Sequence, residues 1–270
     1  MSRILHDQSN AEYHSEGGYS STYIKDWALR SPAHAEYGEK TINPYTADEG
    51  TATHLVFEGK PELVIEAGDI RRGTVWEEAK KQAIAVGGVA LPKKAYKNAM
   101  GAGQSALRNH CMYANGFHEQ CVNSVEYWQE ASIFTEHYAT GLPIKCKPDL
   151  YFNETGTLVD LKTTVSAAPK DFTRSIFKYG YDLQAAFYRI VCREAGLLVG
   201  DEFHFIAVEK TPPYAAQHFA LEADILAVAE LRVEQIIIDI AQSETKWELS
   251  TGWPSVSKIN LSTKEYAYVA

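Results

Sequence analysis

Cysteine is scarce in this sequence and never occurs as a close pair. No two of its four cysteines form a Cys-x-x-Cys motif; they are Cys111, Cys121, Cys146 and Cys192. Iron–sulfur clusters and structural zinc sites need cysteines at defined short spacings, so we expect neither group here. Isolated cysteines of this kind are typical of reduced, mostly buried thiols in a cytoplasmic protein.

Other absences exclude further classes of protein. No Gly-x-x-x-x-Gly-Lys-Ser/Thr motif is present, so we expect no use of ATP by this chain. No signal peptide or apolar run of membrane-spanning length is visible, which predicts a cytoplasmic protein without a membrane partner. Positive charge is also in deficit, with 26 Lys and Arg against 35 Asp and Glu. The net charge of -9 argues against a protein that coats nucleic acid nonspecifically.

Two aspartates and a lysine form the most informative pattern, in residues 147–162. Residues 146–152 and 157–164 have the composition of strands, and the turn formers Asn-Glu-Thr-Gly separate them at 153–156. A hairpin with this four-residue loop places Asp149 opposite Asp160 and Lys147 opposite Lys162. Strand alternation then puts Lys162 on the same face as both carboxylates.

A third predicted strand brings another carboxylate to this face. Residues 125–137 are predicted to form a strand that turns back through a two-residue loop at Thr140 and Gly141. With that loop, Ser132 falls opposite Asp149, and Glu130 lies diagonally on the same face. Three carboxylates and one lysine are therefore expected to converge.

The opposed carboxylates of the hairpin repel each other unless a cation compensates them. Oxygen ligands of this type select Mg²⁺, with Mn²⁺ as the alternative. A bound divalent ion lowers the pKa of water, and Lys162 can orient that water or stabilise a charged transition state. The pattern predicts a metal-dependent phosphodiesterase site, and the alternative is a surface hairpin with solvated charges.

A histidine occurs on a predicted helix upstream of the hairpin. Thr46 and Glu49 form a capping-box pattern for the start of this helix. Gly50, His54 and Glu58 follow at intervals of four and share one face of the helix. The glycine allows a neighbouring element to approach this face closely, and the imidazole is expected to point inward. A lone helical histidine is often structural, so a structural role and a metal-ligand role both stand for His54.

A glutamine and a tyrosine lie one helical turn apart downstream of the hairpin. Gln184 and Tyr188 form a Gln-x-x-x-Tyr pattern on a helix predicted over residues 170–194. The same helix carries apolar residues that suit a core face: Leu183, Phe187, Ile190 and Val191. Core packing and a supporting role beside the site are compatible interpretations of this helix.

These motifs stand in the order found in a known family. The chain resembles the PD-(D/E)XK nuclease superfamily, because Pro148-Asp149 is followed by Asp160-x-Lys162, with the histidine helix before this pair and the glutamine helix after it. Within it, the chain resembles the RecE-like exonucleases, also called exodeoxyribonuclease VIII, over most of its length. The resemblance implies an α/β fold with a restriction-endonuclease-like core, a mixed central sheet flanked by helices and a helical N-terminal elaboration.

The resemblance also implies roles for the motif residues. The metal ligands that it implies are His54, Asp149, Asp160 and the backbone carbonyl of Leu161. The other residues that it places at the catalytic site are Lys162, Glu130, Gln184 and Tyr188. Among them, Lys162 would act on the attacking water or the phosphate, and the rest would assist.

Five further residues are weaker candidates for contacts with DNA: Arg71, Arg72, Ser20, Arg174 and Lys178. Paired guanidiniums such as Arg71 and Arg72 suit a phosphate, including a 5' phosphate, although a solvated loop explains them equally well. Ser20 begins a predicted helix, where capping alone explains a serine. Arg174 and Lys178 belong to residues 145–193, in which eight Lys and Arg against five Asp and Glu leave a net charge of +3.

The activity implied by the resemblance is Mg²⁺-dependent degradation of linear double-stranded DNA from 5' to 3', which leaves 3' single-stranded tails for recombination by strand annealing. RecE-like enzymes form ring-shaped homo-oligomers, here a tetramer or a trimer, and work with a single-strand annealing protein of RecT type. The alternatives are a structure-selective or CRISPR-associated endonuclease of the same superfamily, and a catalytically inactive DNA-binding protein on this scaffold.

Sequence periodicity predicts one nuclease domain over residues 1–270. Residues 1–120 are expected to be mainly helical, 121–245 to form the catalytic core and 246–270 to form an irregular tail. The predicted helices span residues 20–31, 46–59, 76–86, 93–115, 170–194 and 223–243, and the further predicted strands span 64–66, 202–209 and 217–221.

Overall fold

A computed structural model of the chain describes residues 2–39, 44–113 and 127–243, with the side chains of 110–113 left out. This part of the chain contains nine α-helices: α1 (Asn10–Ser15), α2 (Ser21–Leu29), α3 (Pro32–Tyr37), α4 (Pro44–Phe57), α5 (Thr74–Ala85), α6 (Lys93–Tyr113), α7 (Pro169–Lys178), α8 (Tyr181–Glu194) and α9 (Ala223–Gln242). None of the helices in these ranges is both long and apolar enough to cross a membrane.

Ten strands form three sheets in the described residues. They are β1 (Arg3–Leu5), β2 (Val64–Glu66), β3 (Val89–Leu91), β4 (Tyr127–Gln129), β5 (Ser132–Glu136), β6 (Pro143–Cys146), β7 (Leu150–Phe152), β8 (Thr157–Thr164), β9 (Phe203–Glu209) and β10 (Ala216–Leu221). The largest sheet has the order β10-β9-β8-β7-β4, in which β8 and β9 are parallel and the other neighbours antiparallel. The smaller sheets are β1-β5-β6 and the parallel pair β2-β3.

The central sheet is buried on both faces because its middle strands alternate between two apolar clusters. Phe203 and Phe205 of β9 pack with α7, α8 and α9, whereas Ile206 packs with α4 and α6 on the other face. Leu161 of β8 joins the second cluster. The mixed sheet between helices confirms the predicted α/β architecture. Asp160 and Lys162 of β8 lie on the face of the sheet that packs against α8, where Gln184 hydrogen-bonds to both.

The register of the β7–β8 hairpin agrees with the prediction, with Phe152 paired to Thr157. The ladder stops at Leu150, however, so Asp149 is not a ladder partner of Asp160. The predicted strand over 146–152 is divided into β6 and β7. The break contains Pro148, which has no N–H to donate to a ladder.

The predicted two-residue loop before β6 is wrong. His137 N donates to Leu142 O at 2.8 Å, so the loop has four residues, 138–141. The longer loop shifts the pairing by two residues, and Glu130 N now donates to Asp149 O at 3.1 Å. Ser132 therefore does not face Asp149. An even shift keeps each side chain on its face of the sheet, so Glu130 still points toward the aspartates.

Two helix predictions also need correction. The helix predicted over residues 170–194 is two helices, because Gly180 adopts a left-handed conformation (φ 63°) between α7 and α8. The predicted capping box is wrong as well, since α4 begins at Pro44 and both Thr46 and Glu49 lie within it. The strand predicted over residues 125–137 is also wrong: it is divided into β4 and β5, which belong to different sheets, and Glu130 between them has a positive φ of 51° that interrupts the extended backbone. The other predicted helices and strands occur with bounds shifted by at most two residues, except that residues 114–126 and the predicted tail lie outside the described residues.

Candidate active site

Asp149 and Asp160 reach the same place from neighbouring backbone segments. Asp149 follows the break at Pro148, and its Oδ2 accepts a hydrogen bond of 2.5 Å from the backbone N–H of Leu161. Asp160 is the residue before Leu161 on β8. Only 7% of Asp149 and 3% of Asp160 is exposed. Two buried carboxylates in this position need a compensating cation or proton.

Lys162 and Gln184 surround the carboxylate of Asp160. Lys162 Nζ lies 2.6 Å from Asp160 Oδ2. Gln184 of α8 bridges the two residues, since its Nε2 donates to Asp160 Oδ1 at 2.7 Å and its Oε1 accepts from Lys162 Nζ at 3.0 Å. Burial is the largest single influence and would lower the pKa of Lys162, but Asp160, Tyr181 and Asp149 together outweigh it and raise that pKa. The ammonium is therefore held charged against Asp160.

His54 approaches the other aspartate from α4. Its Nδ1 lies 3.4 Å from Asp149 Oδ1. Burial would lower the pKa of His54, yet the charge of Asp149 and a hydrogen bond to it raise the pKa to about 9. Burial would likewise raise the pKa of Asp149, but His54 and the Leu161 N–H hold it down at about 2. In the metal-free protein these two groups form an ion pair.

Glu130 completes the group of carboxylates from the turn between β4 and β5. Burial, and then the nearby charge of Asp149, raise the pKa of Glu130 to about 8, although Lys147 opposes this shift. Lys147 Nζ lies 2.9 Å from Glu130 Oε2 and also donates to Asn10 Oδ1 at 2.8 Å. The predicted position of Lys147 opposite Lys162 is therefore wrong, because Lys147 precedes the break at Pro148.

A group of side chains that could hold a metal ion lies at this place. His54, Glu58 and Glu130 each offer a ligand atom, and these atoms all lie within 4.8 Å of one another. They line a cavity of about 320 Å³ together with Asp149 and Tyr188. Oxygen-rich ligands with one imidazole suit Mn²⁺ and Mg²⁺. The residues present thus fit a divalent ion. Glu58 was missed as a ligand, although its spacing of four from His54 could have indicated it.

Two other residues beside Lys162 were not expected from the sequence. Lys25 of α2 donates from Nζ to Gln184 Oε1 at 3.4 Å, so two ammonium groups share one amide oxygen. Burial, followed by the charge of Lys162, lowers the pKa of Lys25 to about 8. The ring of Tyr181 lies with its centroid 4.7 Å from Lys162 Nζ. No local sequence pattern indicates either residue, because Lys25 and Tyr181 lie on helices and reach Lys162 of β8 only through the packing of those helices against the strand.

The candidate DNA-binding residues occupy different places. Ser20 lines the cavity beside His54 and Asp149. Arg71 is ion-paired to Asp48, its guanidinium lies over two aromatic rings, and it does not line that cavity. Arg72, Arg174 and Lys178 are exposed. The structure therefore brings one of the five candidates to the site.

Comparison with known proteins identifies the family of this chain. Residues 20–251 match the family described as "PDDEXK-like domain of unknown function (DUF3799)". The chain belongs to this family. This membership confirms the resemblance to the PD-(D/E)XK superfamily and the restriction-endonuclease-like core. A comparison with curated proteins finds no match.

Solved structures are similar to this PDDEXK-like chain, and one of them, from Eubacterium rectale, shares its fold. A protein of Eubacterium rectale provisionally named an exonuclease is 18% identical, with a TM-score of 0.57 over 89% of this chain and 88% of that one. An alkaline exonuclease of Laribacter hongkongensis is 10% identical, with a TM-score of 0.31 over 84% and 98%. A phage-related exonuclease of Haemophilus somnus is 11% identical, with a TM-score of 0.30 over 70% and 94%.

Proposed function

We propose that this PDDEXK-like protein is a divalent-metal-dependent nuclease that acts as an exonuclease on linear double-stranded DNA. The observation that carries the proposal is the convergence of Asp149, Asp160 and Lys162 in a family whose name describes this motif. The name of the E. rectale protein supports the choice of an exonuclease.

The metal would be held by carboxylates and one imidazole. Two sets of ligands overlap at His54: the expected set of His54, Asp149, Asp160 and the Leu161 carbonyl, and the set of His54, Glu58 and Glu130 that the geometry groups together. A divalent ion in this place would supply a water of lowered pKa and neutralise charge on the scissile phosphate. We propose Mg²⁺ as the metal, with Mn²⁺ as a competent substitute.

The side chains around the ion would position the reacting groups. Lys162 is held by Asp160 and Gln184, so its ammonium has a fixed place from which to orient water or contact a phosphate oxygen. Gln184 acts as a positioning residue, because it touches both Lys162 and Asp160. Tyr188 lines the cavity one turn further along α8, where it would assist as the resemblance implies.

The remaining features of the proposal come from the RecE-like resemblance. The enzyme would digest from the 5' end, leave 3' single-stranded tails for recombination, assemble as a ring-shaped trimer or tetramer and work with a RecT-like annealing protein in the cytoplasm. The chain would act as one domain over residues 1–270, in which Arg71, Arg72, Ser20, Arg174 and Lys178 contribute DNA contacts.

Digestion of end-labelled DNA tests this proposal. Linear duplexes labelled separately at each 5' and 3' end, and covalently closed circles, are incubated with Mg²⁺ or with EDTA. We expect early release of the 5' label from linear DNA in Mg²⁺ and survival of circles. Lys162→Ala should remove activity, whereas Lys170→Ala, an exposed lysine on α7, should retain it.

Other outcomes of this experiment have definite meanings. Nicking of circles would replace the exonuclease by an endonuclease of the same superfamily. Early release of the 3' label would overturn the polarity. Retained DNA affinity without any cleavage in Mg²⁺ or Mn²⁺ would identify a catalytically inactive DNA-binding protein.

A further inference from the structure

A second cavity lies beyond the catalytic lysine along β8. It has a volume of about 440 Å³, and its lining includes Thr163, Thr164, Ser166, Tyr179, Tyr181 and Lys210. A strand rises about 3.3 Å per residue, so Thr164 lies roughly 7 Å along the strand from Lys162. The cavity is therefore a neighbour of the candidate active site and separate from the metal-ligating group.

Tyr181 connects the second cavity to the active site. Its ring lies under Lys162 Nζ, with 4.7 Å between the nitrogen and the ring centroid, and it also lines the cavity. The ring of Tyr179 lies 5.7 Å from that of Tyr181, at an angle of 35°. The turn at Gly180 produces this arrangement, because a continuous helix would separate the two tyrosines by about 200° and place them on opposite sides of its axis.

The lining of the second cavity combines an aromatic surface with a cation. Tyr179 is 48% exposed, and Lys178 Nζ lies 5.2 Å from its ring centroid. Within residues 2–39, 44–113 and 127–243, Lys210 forms no ion pair. The carboxylate of Asp171 also lines the cavity, but it accepts a hydrogen bond from Ser166 at 2.9 Å. Arg174, outside the lining, lies 3.8 Å from the same Asp171 carboxylate. A hydroxyl-lined cavity with one lysine without an ion-pair partner and an exposed aromatic ring suits an unpaired nucleotide.

We propose that this second cavity binds one unpaired nucleotide of the DNA adjacent to the scissile phosphate, with its base stacked on Tyr179 and its phosphate on Lys210. The proposal rests on the proposed nuclease function, because that function brings a DNA strand to Lys162. Stacking on an aromatic ring is tolerant of sequence, since every base presents a flat face. The cavity would therefore hold the strand without selecting a base.

Binding of single-stranded oligonucleotides in EDTA tests this proposal without cleavage. Tyr179→Ala should weaken the affinity about fivefold or more, and Tyr179→Phe should restore it, because the ring is what stacks. Phe177→Ala is the matched control, since Phe177 is an exposed aromatic residue of α7 outside the cavity lining, and it should bind like the wild type.

The salt dependence of the same binding tests the role of Lys210. Loss of one phosphate contact should make the slope of log affinity against log salt less negative by about 0.7 for a single strand. Lys210→Ala should show this change, and Lys170→Ala should not. Oligonucleotides carrying 2-aminopurine at successive positions should show one position whose fluorescence changes with the wild type and with Tyr179→Phe, but not with Tyr179→Ala.

The two proposals fail in different ways. Equal affinities for Tyr179→Ala and Phe177→Ala, or an unchanged salt slope for Lys210→Ala, would overturn the nucleotide site even if the wild type digests DNA. A Tyr179-dependent fluorescence change in a protein that never cleaves DNA would support the nucleotide site and overturn the nuclease function.

Discussion

Replacement of His54 by glutamine tests whether metal and proton compete for this imidazole. In the metal-free protein His54 is paired with Asp149, and its pKa is raised to about 9. A metal binds only the neutral imidazole, so metal binding must release the proton. The number of protons released on metal binding therefore depends on pH. Glutamine does not titrate, so His54→Gln should lose this contribution.

The size of this effect follows from the pKa of His54. At pH 7 the pH is two units below the pKa of His54, so about 1% of the imidazole is neutral. Competition with the proton therefore weakens the free energy of metal binding by about 2.7 kcal/mol. The apparent metal affinity should therefore rise roughly 100-fold between pH 7 and pH 9.5, and then level off. At pH 7 each metal should displace about one proton from His54, and at pH 9 about half a proton.

Glu130 adds a second, separable contribution. Its pKa is raised to about 8, so it is mostly protonated at pH 7 in the metal-free protein. If Glu130 also binds the metal, the total release at pH 7 should approach two protons, and Glu130→Gln should lower the count by about one. The two variants together thus assign each proton to one ligand.

Calorimetric titration of Mn²⁺ in buffers with different ionisation enthalpies measures the released protons directly. His54→Gln should lower the count at pH 7 by about one, and His34→Gln, on the short helix α3 outside the cavity, should leave it unchanged. If His54→Gln kept both the proton count and the steep pH dependence of the affinity, His54 would not be a metal ligand.

Three effects on stability follow from the same structure, measured as the free energy of unfolding in urea. In EDTA, the stabilisation by the His54–Asp149 pair is fully present below the unfolded histidine pKa of 6.5 and is lost as pH rises through about 9. It amounts to about 3 kcal/mol and should vanish in His54→Gln. The same pH profile for the wild type and the variant would contradict it. Gly180→Ala should destabilise the protein more than Gly196→Ala. Both positions have positive φ, which costs an alanine about 1 to 3 kcal/mol. At Gly180 the new Cβ would also lie 3.0 Å from Leu29, whereas at Gly196 it would meet no atom within 4 Å. Phe172→Ala should cost about 3 to 5 kcal/mol, because that ring is fully buried, and the same change at the exposed Phe177 should stay within about 0.5 kcal/mol; similar losses would contradict the packing of α7.

The hairpin that carries Asp160 and Lys162 was predictable because its contacts are local. The turn formers at 153–156 set the pairing of Phe152 with Thr157, and alternation along β8 then fixes which side chains share a face. The same locality explains why His54 and Glu58 lie on one face of α4, as the spacing of four predicts.

Longer connections were not predictable from composition. The residues at 138–141 are compatible with a two-residue or a four-residue loop. The four-residue loop forms because it allows Ile133 to pair with Cys146. The helix over 170–194 has continuous helical periodicity, yet Gly180 turns left-handed where its neighbours Lys25 and Leu29 of α2 pack closely against it. In both cases a contact distant in sequence selects between two locally acceptable structures.

The sequence by itself determined which chemical groups are present and their order: a histidine on a helix, then an aspartate just before a hairpin, then an aspartate and a lysine on one face of its second strand. Only the tertiary structure decided that Gln184 bridges Lys162 and Asp160 and that Glu130 pairs with Lys147. It also decided that Lys25 shares the amide oxygen of Gln184. Spacing along the chain specifies a residue's position within its own helix or strand, whereas the distance between elements depends on how the whole core packs.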